Sequence, residues 1–200
     1  MPDRHPTTRR IIAAGLRLFA EAGIAGTPIV KIEEAAGLAR GSGAFYRHFK
    51  SKDELLEASI EDALAGSLSG MGILEQLADL PLEQQLSLWG HGHLWYFDQH
   101  RDLVLTLTRD AGKRPANYSH EPGGWPGTSM AEVAAWLRAR SASGELVVED
   151  PEATAVVLMD ALTNYWLQRE AESPTPYGVD EGRFVAAWTS LVLGMRPPAD

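Results

Sequence analysis

Residues 37–43 read Gly-Leu-Ala-Arg-Gly-Ser-Gly, and three glycines in seven residues make too poor a helix for the chain to run straight through. A turn is forced here, and both of its flanks read as helix. Before it, IVKIEEAA (29–36) follows Thr27 and Pro28, a hydroxyl cap and a proline suited to the first helical position. After it, Ser42 is placed to cap a short helix from Gly43 to Phe49. Phe45 and Phe49, four apart, share its buried face; Gly43, Arg47 and Lys50 point away, with Tyr46 and His48 between.

Upstream, residues 7–22 set Ile12, Leu16 and Phe19 at helical spacing, with Ile11, Leu18 and Ala22 widening the stripe, so an amphipathic helix is predicted with Thr7 or Thr8 as cap and Gly23 as its end. Helix, short helix, glycine turn and short helix with a basic, aromatic outer face make a helix-turn-helix. In such a unit glycine and alanine at the start of the second element admit base edges, and the later cations reach phosphates.

Charge points the same way. Residues 1–53 hold nine Lys/Arg against five Asp/Glu, a net of +4, whereas the other 147 residues hold nine against 22, a net of −13, within a chain of net −9. A basic quarter on an acidic protein marks a local surface for a polyanion. Next to it Ser51 is the expected cap of a further helix with Asp53 and Glu54 in its first turn, where Lys52 and free backbone amides outbid the acids for phosphate.

FAEAG at the end of the first helix, Thr27, Ile32 to Ala36 with Gly37, and above all FYRHFKSKDELL (45–56) resemble the TetR family of transcriptional regulators, over residues 9–56. The resemblance implies an all-α protein: an N-terminal three-helix helix-turn-helix domain (1–53), followed by a helical effector-binding and dimerisation domain (54–200). It implies a homodimeric repressor of double-stranded DNA, released from a palindromic operator by a small, largely apolar or aromatic effector. Thr27 and Lys52 would hold phosphates, Tyr46 a phosphate beside the recognition element, and His48 would lie near the backbone; Ser42, Gly43, Ala44 and Arg47 would face the bases. From Gly37 to Tyr46 the chain is about two residues longer than the commoner family pattern. Arg40 therefore falls in the turn, its role open between base contact, phosphate contact and neither. Ala39 stands where the family often has a hydroxyl.

The remainder reads as helices. Residues 55–68 form a linking helix, the family's lever between body and head, with a break expected near Gly66, Gly70 and Gly72. Residues 82–110 form two helices joined near Gln99 and His100, and 111–127 form a long loop. A helix from Thr128 ends at Gly144. The last two, over 144–170 with a proline near its start and over 180–195, are apolar on so many sides that a second subunit is the economical cover, as a four-helix bundle across a twofold. Trp89, His93, Phe97, Leu107, Trp125 and Trp136 are the candidate lining of an effector pocket, against the alternative that such aromatics are ordinary core. Asp160, inside VVLMDAL, suits an Arg partner, a cationic group or an ion pair at the subunit seam.

No nucleophile elbow, phosphate loop or HExxH motif occurs, which argues against an enzyme. There is no cysteine, and His91 and His93, two apart, point to different sides of a helix, so with His100 and His120 they make only a weak metal signal and neither metal nor cofactor is expected. No apolar run reaches membrane-spanning length and no signal-like stretch opens the chain, which favours the cytoplasm. The competing reading is a helical small-molecule-binding or interaction protein that has lost DNA binding; the +4 head argues against it.

Overall fold

A computed structural model of the chain describes residues 5–66, 76–110, 112, 114–115, 117–119 and 127–197. Among them the fold is all-α, as expected. Its helices are α1 (Pro6–Gly26), α2 (Ile29–Ala35), α3 (Lys52–Gly66), α4 (Leu82–Gln99), α5 (Arg101–Arg109), α6 (Gly127–Ala142), α7 (Pro151–Ala171) and α8 (Glu181–Leu193), with single 3-10 turns at Phe45–Arg47 and Pro176–Gly178. None is long and apolar enough to cross a membrane. Trp125, His120, most of the 111–127 loop and the expected break at Gly70 and Gly72 lie outside the described residues.

The chain divides into two compact units, Met1–Ser67 with His100–Ser119, and Leu68–Gln99 with His120–Asp200. Compactness thus groups α5 with the N-terminal helices, because the stripe of α1 is too wide for α2 and α3 alone to cover and α5 packs along it. The core of the first unit is Ile11, Phe19 and Ile24 of α1, Ile32 of α2, Leu55 and Ile60 of α3, and Leu103 and Leu107 of α5, all buried. Complete burial of each such side chain contributes about 1.5–3 kcal/mol. Gly15 lets α1 and α3 approach closely: a Cβ there would stand 2.8 Å from a methyl of Leu55.

The ends of α1 differ from expectation. His5, not Thr7 or Thr8, is the cap, its Nδ1 accepting from the Thr7 amide at 3.2 Å, with Pro6 opening the helix. Gly23 does break α1, at φ 77°, but the chain turns helical again to Gly26. Ser51 is the cap that was expected, its Oγ accepting from the Glu54 amide at 3.1 Å; two caps not singled out from the sequence are Asp150, accepting from Ala153 at 2.9 Å, and Asp180, accepting from Arg183 at 2.9 Å.

In the second unit α4 packs on α7 and α8, and α6 on α7. Trp89 meets Trp188 at 5.2 Å between ring centroids, and Phe97 meets Trp166 at 5.5 Å. Two of the indoles are also tied by hydrogen bonds, Trp166 Nε1 to Asp98 at 2.8 Å and Trp188 Nε1 to the Leu158 carbonyl at 3.0 Å. Asp98 also holds Arg169, which donates to Glu181 at 2.8 Å, and Glu181 bonds His91 Nδ1 at 2.8 Å. This polar chain fastens α4, α7 and α8 outside their aromatic core.

Candidate nucleic-acid interface

The recognition element is shorter than its sequence suggests. Gly41 and Gly43 sit at φ 68° and 67°, left-handed values that end any helix before residue 44, so only the single 3-10 turn at Phe45–Arg47 forms where a helix over 43–49 is predicted. Phe45 and Phe49 are buried as predicted, their rings 5.8 Å apart, and they anchor that turn.

Around this anchor the predicted contact residues separate. Tyr46 is 61% exposed, edge-on to Phe45, and Arg40, Ser42, Arg47 and Lys50 are exposed. Gly43 is half-buried. Ala44, expected among the base-facing residues, is only 2% exposed: the left-handed Gly43 swings the next residue inward, leaving Gly41 and Ser42 exposed and Gly43 half-buried. Ser42 Oγ accepts from the Ala44 amide at 3.3 Å, a local turn bond rather than the cap of a helix.

Thr27 and Lys52 lie at the same corner but are engaged inside the protein. Thr27 is buried and its hydroxyl lies 2.8 Å from the Gly23 carbonyl and 3.2 Å from that of Leu18, so it plugs the end of α1; Pro28, not Thr27, precedes α2. The Lys52 ammonium donates to the carbonyls of Ile24 and Thr27, which leaves one of its three protons for an outside acceptor. His48 is half-buried, its Nδ1 sharing a hydrogen bond with Thr8 Oγ1 at 3.0 Å. Thr27, Pro28, Gly41, Gly43, Tyr46 and Lys52 line one open cleft of about 500 Å³.

Three further residues build this corner without having been singled out from the sequence. Arg109 of α5 donates to the carbonyls of Ala20 and Glu21 at 3.1 and 2.8 Å, and Asp110 accepts from the Ile24 amide at 2.9 Å, so the end of α5 grips both sides of the Gly23 break. Glu33, 1% exposed, accepts from the amides of Gly41 at 2.9 Å and Phe45 at 3.0 Å. Its signal was legible: 29, 32, 33 and 36 form one helical stripe, and an acid there must find donors inside. Nothing local marks Arg109 and Asp110, whose partners lie more than 80 residues away.

The candidate effector residues fall in both units. Leu107 is buried in the first. In the second, Trp89 and Phe97 are core, and His93 stands edge-on to Phe97 at 4.5 Å. Trp136 lies under the Arg140 guanidinium at 5.3 Å. Trp89 Nε1, His93 Nε2 and Trp136 Nε1 are buried and make no hydrogen bond among the described residues. Burial lowers the His93 pKa to about 4 and raises that of Tyr96 to about 12, so both are neutral near pH 7.

Residues 11–59 match the family model of bacterial regulatory proteins, tetR family. An uncharacterized HTH-type transcriptional regulator, YerO of Bacillus subtilis, is 37% identical over 99 residues, 49% of this chain and 34% of that protein. The HTH-type transcriptional repressor KstR2 of Mycolicibacterium smegmatis is 28% identical over 113 residues, 54% of this chain and 52% of that protein. The chain thus spans about a third of one relative's length and about half of the other's. Among solved structures, the TetR-family regulator PfmR of Thermus thermophilus matches 94% of this chain and 100% of its own at TM-score 0.73 and 20% identity. A tetR-family regulatory protein from Rhodococcus matches 98% and 100% at TM-score 0.72 and 20% identity. At that identity the likeness speaks for the fold alone. The Phe45–Phe49 anchor and the exposed basic strip thus fall within the stretch, residues 11–59, that matches the tetR-family model.

Proposed function

We propose that the protein is a homodimeric regulator that binds duplex DNA through the first unit and is released by a small effector. The observation that carries this reading is the exposed set Arg40, Ser42, Tyr46, Arg47 and Lys50 on a turn whose own supports, Phe45, Phe49 and Glu33, are buried. A fixed base with a cationic fringe suits a groove, because phosphates position the protein and the turn meets base edges. Tyr46 and the remaining Lys52 proton face the cleft as phosphate donors; Arg40, Ser42, Gly43 and Arg47 are the groups for bases. Thr27 and Ala44 act as frame.

For the partner subunit, α7 and α8 present Val156, Val157 (67% exposed) and Leu191 (68% exposed) outward, with Ala153, Ala186 and Ala187 small enough for close helix approach. Asp160 is exposed on the same helix and suits an ion pair at that seam. For the effector, the apolar rings of the second unit and the neutral, unpaired nitrogens of Trp89, His93 and Trp136 suit a largely apolar molecule with uncharged hydrogen-bonding groups. Release would run through the chain itself: α4 passes into α5 at His100, and the end of α5 holds the corner that positions Lys52. An effector does this only by binding more tightly to a state with that corner displaced.

The test is enrichment of a palindromic duplex from a randomised pool, followed by salt titration. Neutralising roughly six to ten phosphates per dimer predicts a loss of about 10³-fold or more in affinity between about 50 and 200 mM salt. A flat response, or no enrichment, refutes the DNA reading.

A further inference from the structure

The longer glycine turn raises a physical problem. Gly37, Gly41 and Gly43 all take left-handed φ values, between 67° and 70°, and a Cβ added at Gly41 or Gly43 would meet no atom within 4 Å. Packing therefore does not hold the outer part of the turn, and glycine gives the backbone more freedom to lose than any other residue. A reading element that wanders cannot discriminate base pairs, because each correct hydrogen bond would first have to order the loop.

Glu33 supplies the missing restraint. It is rooted in α2 beside Ile32, is 1% exposed, and its two carboxylate oxygens go to different amides: Oε2 to Gly41 at 2.9 Å and Oε1 to Phe45 at 3.0 Å. Those amides bracket Ser42, Gly43 and Ala44, so one side chain closes the loop at both ends. Both bonds are charge-assisted, stronger than neutral ones, and they account for a carboxylate buried close to a surface meant for phosphate. We infer that Glu33 is a positioning residue for sequence reading: it sets the height and angle of the Ser42–Gly43 tip, and so which base pairs are distinguished, without touching DNA. The inference rests on the proposed DNA binding and adds to it the residue on which specificity depends.

Glu33→Gln separates this role from plain stability. The amide keeps the shape and one acceptor oxygen, but its NH₂ then faces an N–H, so one end of the loop is released. The affinity of wild-type and variant is measured at fixed salt for the best duplex that the wild-type protein selects from a randomised pool, and for a scrambled duplex of equal length. The ratio of the two affinities should fall about tenfold or more in Glu33→Gln, the cost of losing one charge-assisted bond, while binding to the scrambled duplex holds or rises as a negative charge is removed. Glu33→Asp, too short to span both amides, should fall between. Amide hydrogen exchange on the free proteins should quicken about tenfold at 41–45 and not within α1. A folded Glu33→Gln with an unchanged affinity ratio overturns the inference, as does unchanged exchange at 41–45. If the wild-type protein selects no duplex, the DNA reading fails and the specificity role with it; quickened exchange would then still identify Glu33 as the clamp of the turn, so the two failures are told apart.

Discussion

Each of the two units is held together internally, and by different means. In the first, charged and hydroxyl side chains reach across to backbone ends: Glu33 to two amides, Thr27 and Lys52 to carbonyls at the end of α1, Arg109 and Asp110 to either side of Gly23. In the second, ring packs on ring, Trp89 on Trp188 and Phe97 on Trp166. Burial of apolar surface is strong but non-directional, and it tolerates rearrangement around a guest molecule. Directional bonds to backbone ends are individually weaker, yet they fix a turn in both position and angle. The proposed reading of base pairs calls for the second kind of restraint, and the proposed accommodation of an effector calls for the first.

The aromatic side of this contrast should respond most strongly. Trp166→Ala removes a fully buried indole and one of the two hydrogen bonds described for Asp98, so chemical denaturation should report a loss of about 3–5 kcal/mol. A loss below about 1 kcal/mol would mean that the rings do not carry the second unit.

Next comes pH. The His93 pKa is lowered to about 4, so between roughly pH 6.5 and 4 the unfolded chain binds a proton that the folded chain refuses. Stability contributed by the neutral ring is therefore complete above about pH 6.5 and lost as pH falls toward 4, by about 3 kcal/mol in all. His93→Phe should flatten this part of the stability–pH curve. Equal slopes in the two proteins would place the ring in water.

A weaker response distinguishes frame from contact in the first unit. Thr27→Val deletes the hydroxyl bonded at the end of α1 and should lower stability by about 1–2 kcal/mol, with any loss of DNA affinity arising from the displaced corner. If stability is untouched while affinity for every duplex drops, Thr27 is a phosphate ligand after all. Arg47→Ala should disturb the fold least: exposed as the side chain is, stability should stay within about 0.5 kcal/mol, while duplex affinity falls measurably and sequence preference shifts. A loss of affinity equal for all sequences would make Arg47 a backbone contact.

Residue order alone specified most of the helices, the Ser51 cap, the Phe45–Phe49 anchor and the family resemblance over residues 9–56, because periodicity, glycine stops and capping residues act within a few positions of one another. The charge contrast between the head and the rest was equally plain, being a property of composition. Which polar residues of the head look outward was settled by the folded backbone instead. Thr27 is drawn inward by carbonyls at the end of α1, and Ala44 by a left-handed glycine that reverses the facing of its neighbour. Neither a φ angle nor an unpaired carbonyl is written in residue spacing. The grip of Arg109 and Asp110 on the Gly23 break, and the placing of α5 beside α1, were beyond local reading altogether. Those bonds join segments far apart in the chain, and no short-range pattern encodes a partner that distant.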